Sequence, residues 1–194
     1  EYKANRDETP DAIRYSIPVI KNLLDGFNVP VIEKKGYEAD DIIGTLAKIA
    51  EKESFETYMV TPDKDYAQLV DDNTLILKPA RGGNDEEILD KKLILSQWNI
   101  RSINQVIDIL GLAGDSIDNI PGVPGIGLKT AQKLIIEFGS IENVIKNSDK
   151  LKGKQKENIE AFKDNALLSK KLATIKCDVP IDCSLDSLIR KELN

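Results

Sequence analysis

The chain has 194 residues, 41% hydrophobic and 31% charged, which is the make-up of a protein that buries a core and not of a disordered or fibrous one. No stretch approaches the ~20 apolar residues that a membrane-spanning helix needs, so integral membrane function of that kind is excluded. Histidine is absent, which removes Ser-His-Asp and Cys-His nucleophiles and His-ligated zinc, and the two cysteines, Cys177 and Cys183, are too few for a disulfide framework or an all-thiolate zinc site. One local bridge between those cysteines stays open, with reduced thiols in a cytosolic protein the favoured reading.

The first ten residues carry no core-forming pattern. A helix is predicted after Ser16, with Pro18 in its first turn, the apolar stripe Ile17, Ile20, Leu23, Leu24 and Phe27, and a stop at Gly26. Val29 to Glu33 reads as a short buried strand. A second helix follows Gly36-Tyr37-Glu38 and places Ile42, Ile43, Leu46, Ile49 and Ala50 on one side. Thr57 to Thr61 is predicted as a strand, Asp65 to Val70 as a short helix and Thr74 to Lys78 as a strand, an order that argues a parallel sheet covered by helices. Arg81 to Glu87, with Gly82-Gly83-Asn84-Asp85, reads as a surface loop. Beyond Leu89 the strand signals stop. Helices are predicted over Lys91–Trp98, Ser102–Leu112, Lys129–Phe138, Ile141–Asn147, Lys154–Ala161 and Leu167–Ile175. The expected architecture is an α/β part over residues 1–90 and an all-helical part over 91–194.

Charge divides the chain along a similar line. The net charge is −6, yet Lys129 to Lys176 hold eleven Lys against six acids. Two solvated faces of an ordinary protein account for that asymmetry; so does a metal site beside a polyanion-binding surface. The acids themselves cluster at element ends. Glu38-Ala39-Asp40-Asp41 opens the second helix, where one or two acids would serve as a cap and a third adds repulsion unless a cation separates them. Asp63 and Asp65 directly follow the apolar strand Tyr58-Met59-Val60; they suit a turn, and they also stand where open parallel sheets bind ligands. Asp115 and Asp118 sit in Gly114-Asp115-Ser116-Ile117-Asp118-Asn119, after one helix and before a glycine-rich turn. Acids from three termini without His or Cys would make an all-oxygen site suited to Mg2+ or Mn2+, and a pair of such ions serves in-line phosphoryl transfer. Metal-dependent phosphoester hydrolysis is the reaction class this chemistry points to, without separating nuclease from phosphatase.

Pro121-Gly122-Val123-Pro124-Gly125-Ile126-Gly127-Leu128-Lys129-Thr130-Ala131 makes that separation. Gly125 and Gly127 bracket Ile126 between two helices, glycines admit a close ligand, and amides at a helix start hold phosphate. Lys129, Thr130 and Lys133 lie on the first turns of the second helix. The pattern is a helix-hairpin-helix that reads DNA backbone without base specificity; a tight helix–helix turn would not require lysines there.

With these motifs in register, the chain resembles the flap-endonuclease family, and within it the 5′ nuclease domains of bacterial DNA polymerases. The stretches that carry the resemblance are Tyr2-Lys3-Ala4-Asn5-Arg6, Gly36 to Asp41, Thr61-Pro62-Asp63-Lys64-Asp65, Gly114 to Asn119 and Gly122 to Ala131, in order, as far as about Pro180. The resemblance implies a parallel-sheet nuclease core of the PIN type, incomplete here, followed by a helix-hairpin-helix subdomain. It implies a cytoplasmic, Mg2+- or Mn2+-dependent 5′→3′ exonuclease and flap endonuclease. Its partners would be 5′-flap, nicked or gapped DNA and a polymerase domain of the parent chain, with no membrane. Glu38, Asp40, Asp41, Asp63, Asp65, Asp115 and Asp118 match the family's metal-binding acids, for two ions in the complete domain. Tyr2, Lys3 and Arg6 match catalytic positions at the foot of its helical arch, where cations face the scissile phosphate, and Gly122, Gly125, Ile126, Gly127, Lys129, Thr130 and Lys133 match its DNA-binding hairpin, which would carry a monovalent cation. The family's domain begins with strands bearing two further aspartates that have no counterpart here, and the chain starts at Glu1 without a Met. The chain is therefore expected to be a fragment that binds DNA and cleaves it poorly. A non-catalytic DNA-binding module and a toxin-type PIN ribonuclease are the alternatives. The first leaves Glu38, Asp40, Asp63 and Asp65 without a purpose, and the second does not ordinarily carry the hairpin and Lys-rich tail.

Overall fold

The computed structural model describes residues 2–191. Helix α1 spans Asp11–Gly26 and α2 spans Ala39–Lys52, followed by strand β1 (Thr57–Val60), a 3-10 helix (Lys64–Leu69), β2 (Thr74–Lys78) and β3 (Glu87–Leu89). Helices α3 (Lys91–Gln97), α4 (Gln105–Ala113), α5 (Leu128–Phe138), α6 (Ile141–Lys146), α7 (Gly153–Ala161) and α8 (Lys163–Ala173) complete the chain, apart from short 3-10 turns. The sheet order is β1-β2-β3. β1 and β2 run parallel, from Thr57 against Thr74 to Val60 against Leu77, with the 3-10 helix as their crossover.

β3 pairs antiparallel to β2, Ile76 against Leu89 and Lys78 against Glu87. The sequence reading ended the strands at β2, because three residues after a Gly-Gly loop carry too little periodicity to announce one. Val29–Glu33 is not a strand but unpaired extended chain; Pro30 has no N–H to give a ladder. Helix α1 begins five residues before Ser16, which donates to the Ala12 carbonyl instead of capping, and this leaves Pro18 inside the helix. Its predicted core stripe is not core: Ile17, Ile20, Leu23 and Phe27 are each 42–56% exposed, because no described element packs across them. Helix α4 starts later than predicted, since Gln105 Oε1 accepts from the amides of Arg101 and Ser102 and holds that segment in turns.

One apolar core runs through both halves. Met59, Ile76 and Leu89 of the sheet join Tyr66, Val70 and Ile94, and then Val106, Ile109 and Leu112 of α4, Ile135 of α5 and Ile141 of α6. α4 lies in its centre, and Gly111 lets α8 come close: a Cβ there would stand 2.8 Å from the Lys170 Cα. Beside this contact the buried Asp108 accepts from Lys170 Nζ at 2.7 Å and from the Ile141 amide at 3.1 Å, so α4, α6 and α8 share one ion pair. Glu142 adds a second acceptor for Lys170 at 2.8 Å. Cys177 and Cys183 are both free thiols. No helix among the described residues is long and apolar enough to cross a membrane.

Candidate functional site

The carboxyl end of β1, the start of α2 and the loop after α4 meet in one cavity of about 570 Å³. Its lining includes Glu38, Asp40 and Asp41 from the start of α2, Asp63 and Asp65 after β1, Asp118, the cations Lys3 and Arg6, and Lys171 to Lys176 from the end of α8. Three of the acid clusters predicted from sequence therefore converge, as the parallel-sheet rule requires of groups beyond strand ends. Asp115 does not line the cavity; its Oδ2 accepts from Lys64 Nζ at 3.0 Å and its Oδ1 from the Ile117 amide at 2.9 Å. Burial works against its charge, but Lys64 and these amides hold its pKa below the ordinary aspartate value.

Each cluster is shaped by local chemistry. Glu38 is the N-cap of α2, and Asp41 Oδ2 accepts its amide at 3.2 Å, the reciprocal bond of a capping box. The cap accounts for Glu38 and Asp41 and leaves Asp40 pointing elsewhere. Asp40 Oδ1 accepts from the Tyr66 hydroxyl at 3.0 Å. Burial raises the Asp40 pKa, against the Tyr66 bond and with the help of neighbouring Asp63 and Glu38 charges; burial beside Asp40 likewise raises that of Tyr66. Asp63 caps the 3-10 helix by accepting the Asp65 amide at 2.9 Å. Asp65 is raised to about 6, chiefly by burial. Its Oδ1 is buried without a hydrogen-bond partner, with Lys64 Nζ at 3.5 Å.

Cations of the chain fill the spaces between the acids. Lys3 Nζ bonds Glu38 and lies 3.9 Å from Asp118 Oδ2, while Arg6 Nε donates to Asp118 Oδ1 at 2.9 Å. The backbone repeats that contact, Lys3 N–H to the Asp118 carbonyl at 2.9 Å. Tyr2 stands beside them, its ring 5.0 Å from the Lys3 ammonium. Among the described residues no group of three or more acidic or thiol side chains is gathered closely enough to hold one ion. The donors nevertheless fit a hard dication: all are oxygens, and the orphaned Asp65 Oδ1 and the raised Asp40, each in the field of Asp63, mark carboxylates held with too little positive charge.

The hairpin lies next to this cavity in the chain and is rigidly built. The loop 114–122 closes through paired Asp115 and Ile120 amides and carbonyls, at 2.9 and 2.7 Å. Gly122 is buried, and its amide donates to Ser169 Oγ of α8 at 2.9 Å. Ile126 is 4% exposed. These two predicted DNA-binding residues thus shape the hairpin from inside and do not face solvent. Gly125, Gly127, Lys129 and Lys133 are exposed, and Thr130 is half-buried. Gly127 caps α5 without a side chain, and Asn158 of α7 braces the turn by donating to the Pro124 carbonyl at 2.8 Å. The sequence reading missed Tyr66, Gln68, Lys171 and Lys176; Lys64, flanked by two aspartates, was the one visible signal of a cation between the acids.

Residues 1–99 match a family model described as 5′-3′ exonuclease, N-terminal resolvase-like domain, and residues 102–194 one described as 5′-3′ exonuclease, C-terminal SAM fold. DNA polymerase I of Bacillus subtilis (strain 168) is 46% identical over 189 residues, 97% of this chain and 21% of that protein. The chain thus spans about a fifth of the length of the curated relatives it matches. Among solved structures, T5 5′-exonuclease with divalent zinc ions bound superimposes with a TM-score of 0.71 at 26% identity, over 89% of this chain and 66% of that one. The catalytic core of Rad2 in complex with DNA substrate shares the fold, with a TM-score of 0.55 at 19% identity over 89% of this chain and 59% of that one.

Proposed function

Because the chain belongs to the 5′-3′ exonuclease family, we propose that it is the acid-rich core and DNA-gripping part of a bacterial DNA polymerase's 5′ nuclease. The parent protein, acting in the cytoplasm, hydrolyses phosphodiesters at 5′-flaps and in nicked or gapped duplexes during replication and repair. The observation that carries this reading is the single cavity in which acids from three elements meet Lys3 and Arg6. Asp40, Asp63 and Asp65 are the residues that would bind a divalent ion, Mg2+ or Mn2+, with Glu38 and Asp118 on the facing elements; as placed here the carboxylates stand too far apart to enclose it by themselves, so water and the substrate phosphate would complete its shell. Bound there, such an ion supplies a more acidic water and neutralises phosphate charge. Lys3 and Arg6 bind the oxygens of the phosphodiester entering the cavity, and Tyr2, 43% exposed, offers a ring face to the adjacent base. Lys64 holds Asp115 beside Asp65 and keeps the two carboxylates from repelling each other.

The hairpin supplies the grip. Amides at the start of α5 and the ammonium groups of Lys129 and Lys133 engage phosphates without reading bases. If about four phosphates are neutralised, the log–log salt slope of duplex binding is near −3.6, and Lys129→Ala with Lys133→Ala flattens it by about 1.8. Fluorescence anisotropy across a salt series checks this; an unchanged slope places the binding surface elsewhere.

A second reading, that this chain alone binds DNA without efficient cleavage, is favoured by the pairing of Glu38, Asp118 and Asp115 with the chain's own cations. Both are tested by assaying this chain and the parent-length protein on one 5′-flap substrate with Mg2+, with Mn2+ and with chelator. The parent-length protein is expected to cleave only with metal and this chain far more slowly. Metal-independent cleavage by the parent overturns the assigned chemistry, and equal turnover by the two proteins overturns the second reading.

A further inference from the structure

The wall of the cavity formed by Lys171 to Lys176 has no part in the roles assigned so far. We propose that Lys171 and Lys176 form a second cationic lip of the cavity that takes a backbone phosphate of the nucleic acid, and that Asp41 and Gln68 are positioning residues for this lip. The proposal rests on the nucleic-acid reading above and adds to it a surface away from the hairpin.

The other cations of the cavity are already matched by acids: Lys3 by Glu38 and Arg6 by Asp118. Lys171 is exposed and has no ion-pair partner among the described residues. Lys176 meets Asp178 at 3.7 Å, and that acid is 80% exposed. A pair so exposed contributes little and exchanges readily for a phosphate. The lip therefore carries positive charge that nothing in the fold requires.

Its backbone, by contrast, is held with unusual care for a surface segment. α8 ends at Ala173, and the Ala173 carbonyl and the Ile175 and Lys176 amides are tied to the acid-bearing elements. Gln68, one turn beyond Asp65, donates to the Ala173 carbonyl at 2.9 Å and to the Asp65 carbonyl at 3.0 Å, and accepts from the Ile175 amide at 2.9 Å. These bonds explain why the helix stops two residues short of Ile175. Asp41 Oδ1 accepts the Lys176 amide at 2.9 Å, across 135 residues of sequence. Because its Oδ2 already takes the Glu38 amide, both oxygens of Asp41 serve backbone N–H groups. The structure thus gives Asp41 a place between the two lips of the cavity, setting Glu38 and Lys176 relative to each other, in place of the metal-ligand role that its motif suggested. The Lys176 ammonium, which lines the cavity, also lies 5.2 Å from the ring centre of Tyr37, just before α2.

The test is binding of a labelled duplex with a 5′ flap, followed by anisotropy over a salt series in chelator. Lys171→Ala with Lys176→Ala is expected to flatten the slope by about 1.8, independently of and additive with Lys129→Ala and Lys133→Ala. Asp41→Ala is expected to flatten it by about 0.9, as Lys176→Ala alone does, while leaving the Mn2+ affinity measured by calorimetry unchanged. Asp41→Asn, which keeps the Oδ1 acceptor, is expected to restore the slope and carries the comparison if the Ala variant does not fold. A slope unaffected by the two lip substitutions, while the hairpin substitutions still flatten it, overturns the lip and leaves the nucleic-acid reading standing. Loss of Mn2+ binding in Asp41→Asn with an unchanged slope overturns the positioning role. Absence of duplex binding by the unmodified chain removes the reading beneath both.

Discussion

Replacing Asp65 by Asn is expected to make the metal-free protein more stable at pH 8 and to abolish most of its response to Mn2+. The carboxyl titrates near 6 in the folded chain against an ordinary value of 3.8. A raised carboxyl pKa means that the folded state prefers the proton. The favourable contribution is fully present below 3.8 and is lost as the pH rises through 6, so at pH 8 the ionised group opposes folding. The side chain is 23% exposed, which leaves little screening, and the shift corresponds to a cost of about 3 kcal/mol. An Asn amide removes the charge and leaves some unsatisfied polarity, for a net gain of about 1–3 kcal/mol and a melting temperature higher by roughly 3–8 °C. Scanning calorimetry in chelator reads the gain, which should shrink as the pH falls toward 4. Added Mn2+ should raise the melting temperature of the unmodified protein through mass action and that of the variant hardly at all. A variant that melts lower in chelator, or responds to Mn2+ as before, removes Asp65 from the proposed ion site.

Gly114→Ala is expected to be severely destabilising, lowering the melting temperature by about 10 °C. Gly114 has φ 69° and ψ 179°, a region that side-chain-bearing residues hardly enter. A Cβ there would lie 2.6 Å from the Ile120 carbonyl oxygen and 2.7 Å from the Gly122 nitrogen. Both are backbone atoms of the closed loop, so relief requires opening the Asp115–Ile120 pairing. Strain of about 1–3 kcal/mol and the clash together place the change in the severe tail of substitutions, at roughly 3 kcal/mol or more. Opening the loop also moves Asp118 away from Arg6 and Lys3, so DNA binding should weaken in the molecules that remain folded. Gly127→Ala is the control, with no atom within 4 Å of its Cβ and an ordinary extended φ of −89°. It should lower the melting temperature by no more than about 4 °C, since Ala in place of Gly at the N-cap of α5 costs about 1 kcal/mol or less and nothing resists its Cβ. Equal melting of Gly114→Ala and the unmodified chain would show that the loop does not depend on this close approach.

Much of this was legible in the chain before any coordinates. The apolar run Tyr58-Met59-Val60 and the alternation over Thr74–Lys78 located β1 and β2 to within a residue. The glycines around Ile126 located the hairpin, and the placement of acids after β1, before α2 and after α4 located the cavity. Each is a local signal, because periodicity, caps and turns depend on neighbours within a few positions. What escaped was non-local. β3 exists because β2 offers it an edge, and the α1 stripe lies exposed because packing depends on what stands opposite, which amphipathicity alone does not specify.

The sequence by itself determined β1, β2 and most of the helices, the hairpin, and the all-oxygen character of the acid clusters. Tertiary structure alone decided which charges meet: Arg6 with Asp118, Lys64 with Asp115, and Asp41 with the amide of Lys176. Those partners are 51 to 135 residues apart. They come together only because Gly111 admits α8 against α4 and because Gly114 and Gly122 bring two backbones into contact. An acid motif carries no record of that approach, so the carboxylates of Glu38, Asp40 and Asp41 look equivalent in sequence. In the fold they become a cap bound to Lys3, a buried acid bound to Tyr66 and a brace for the backbone.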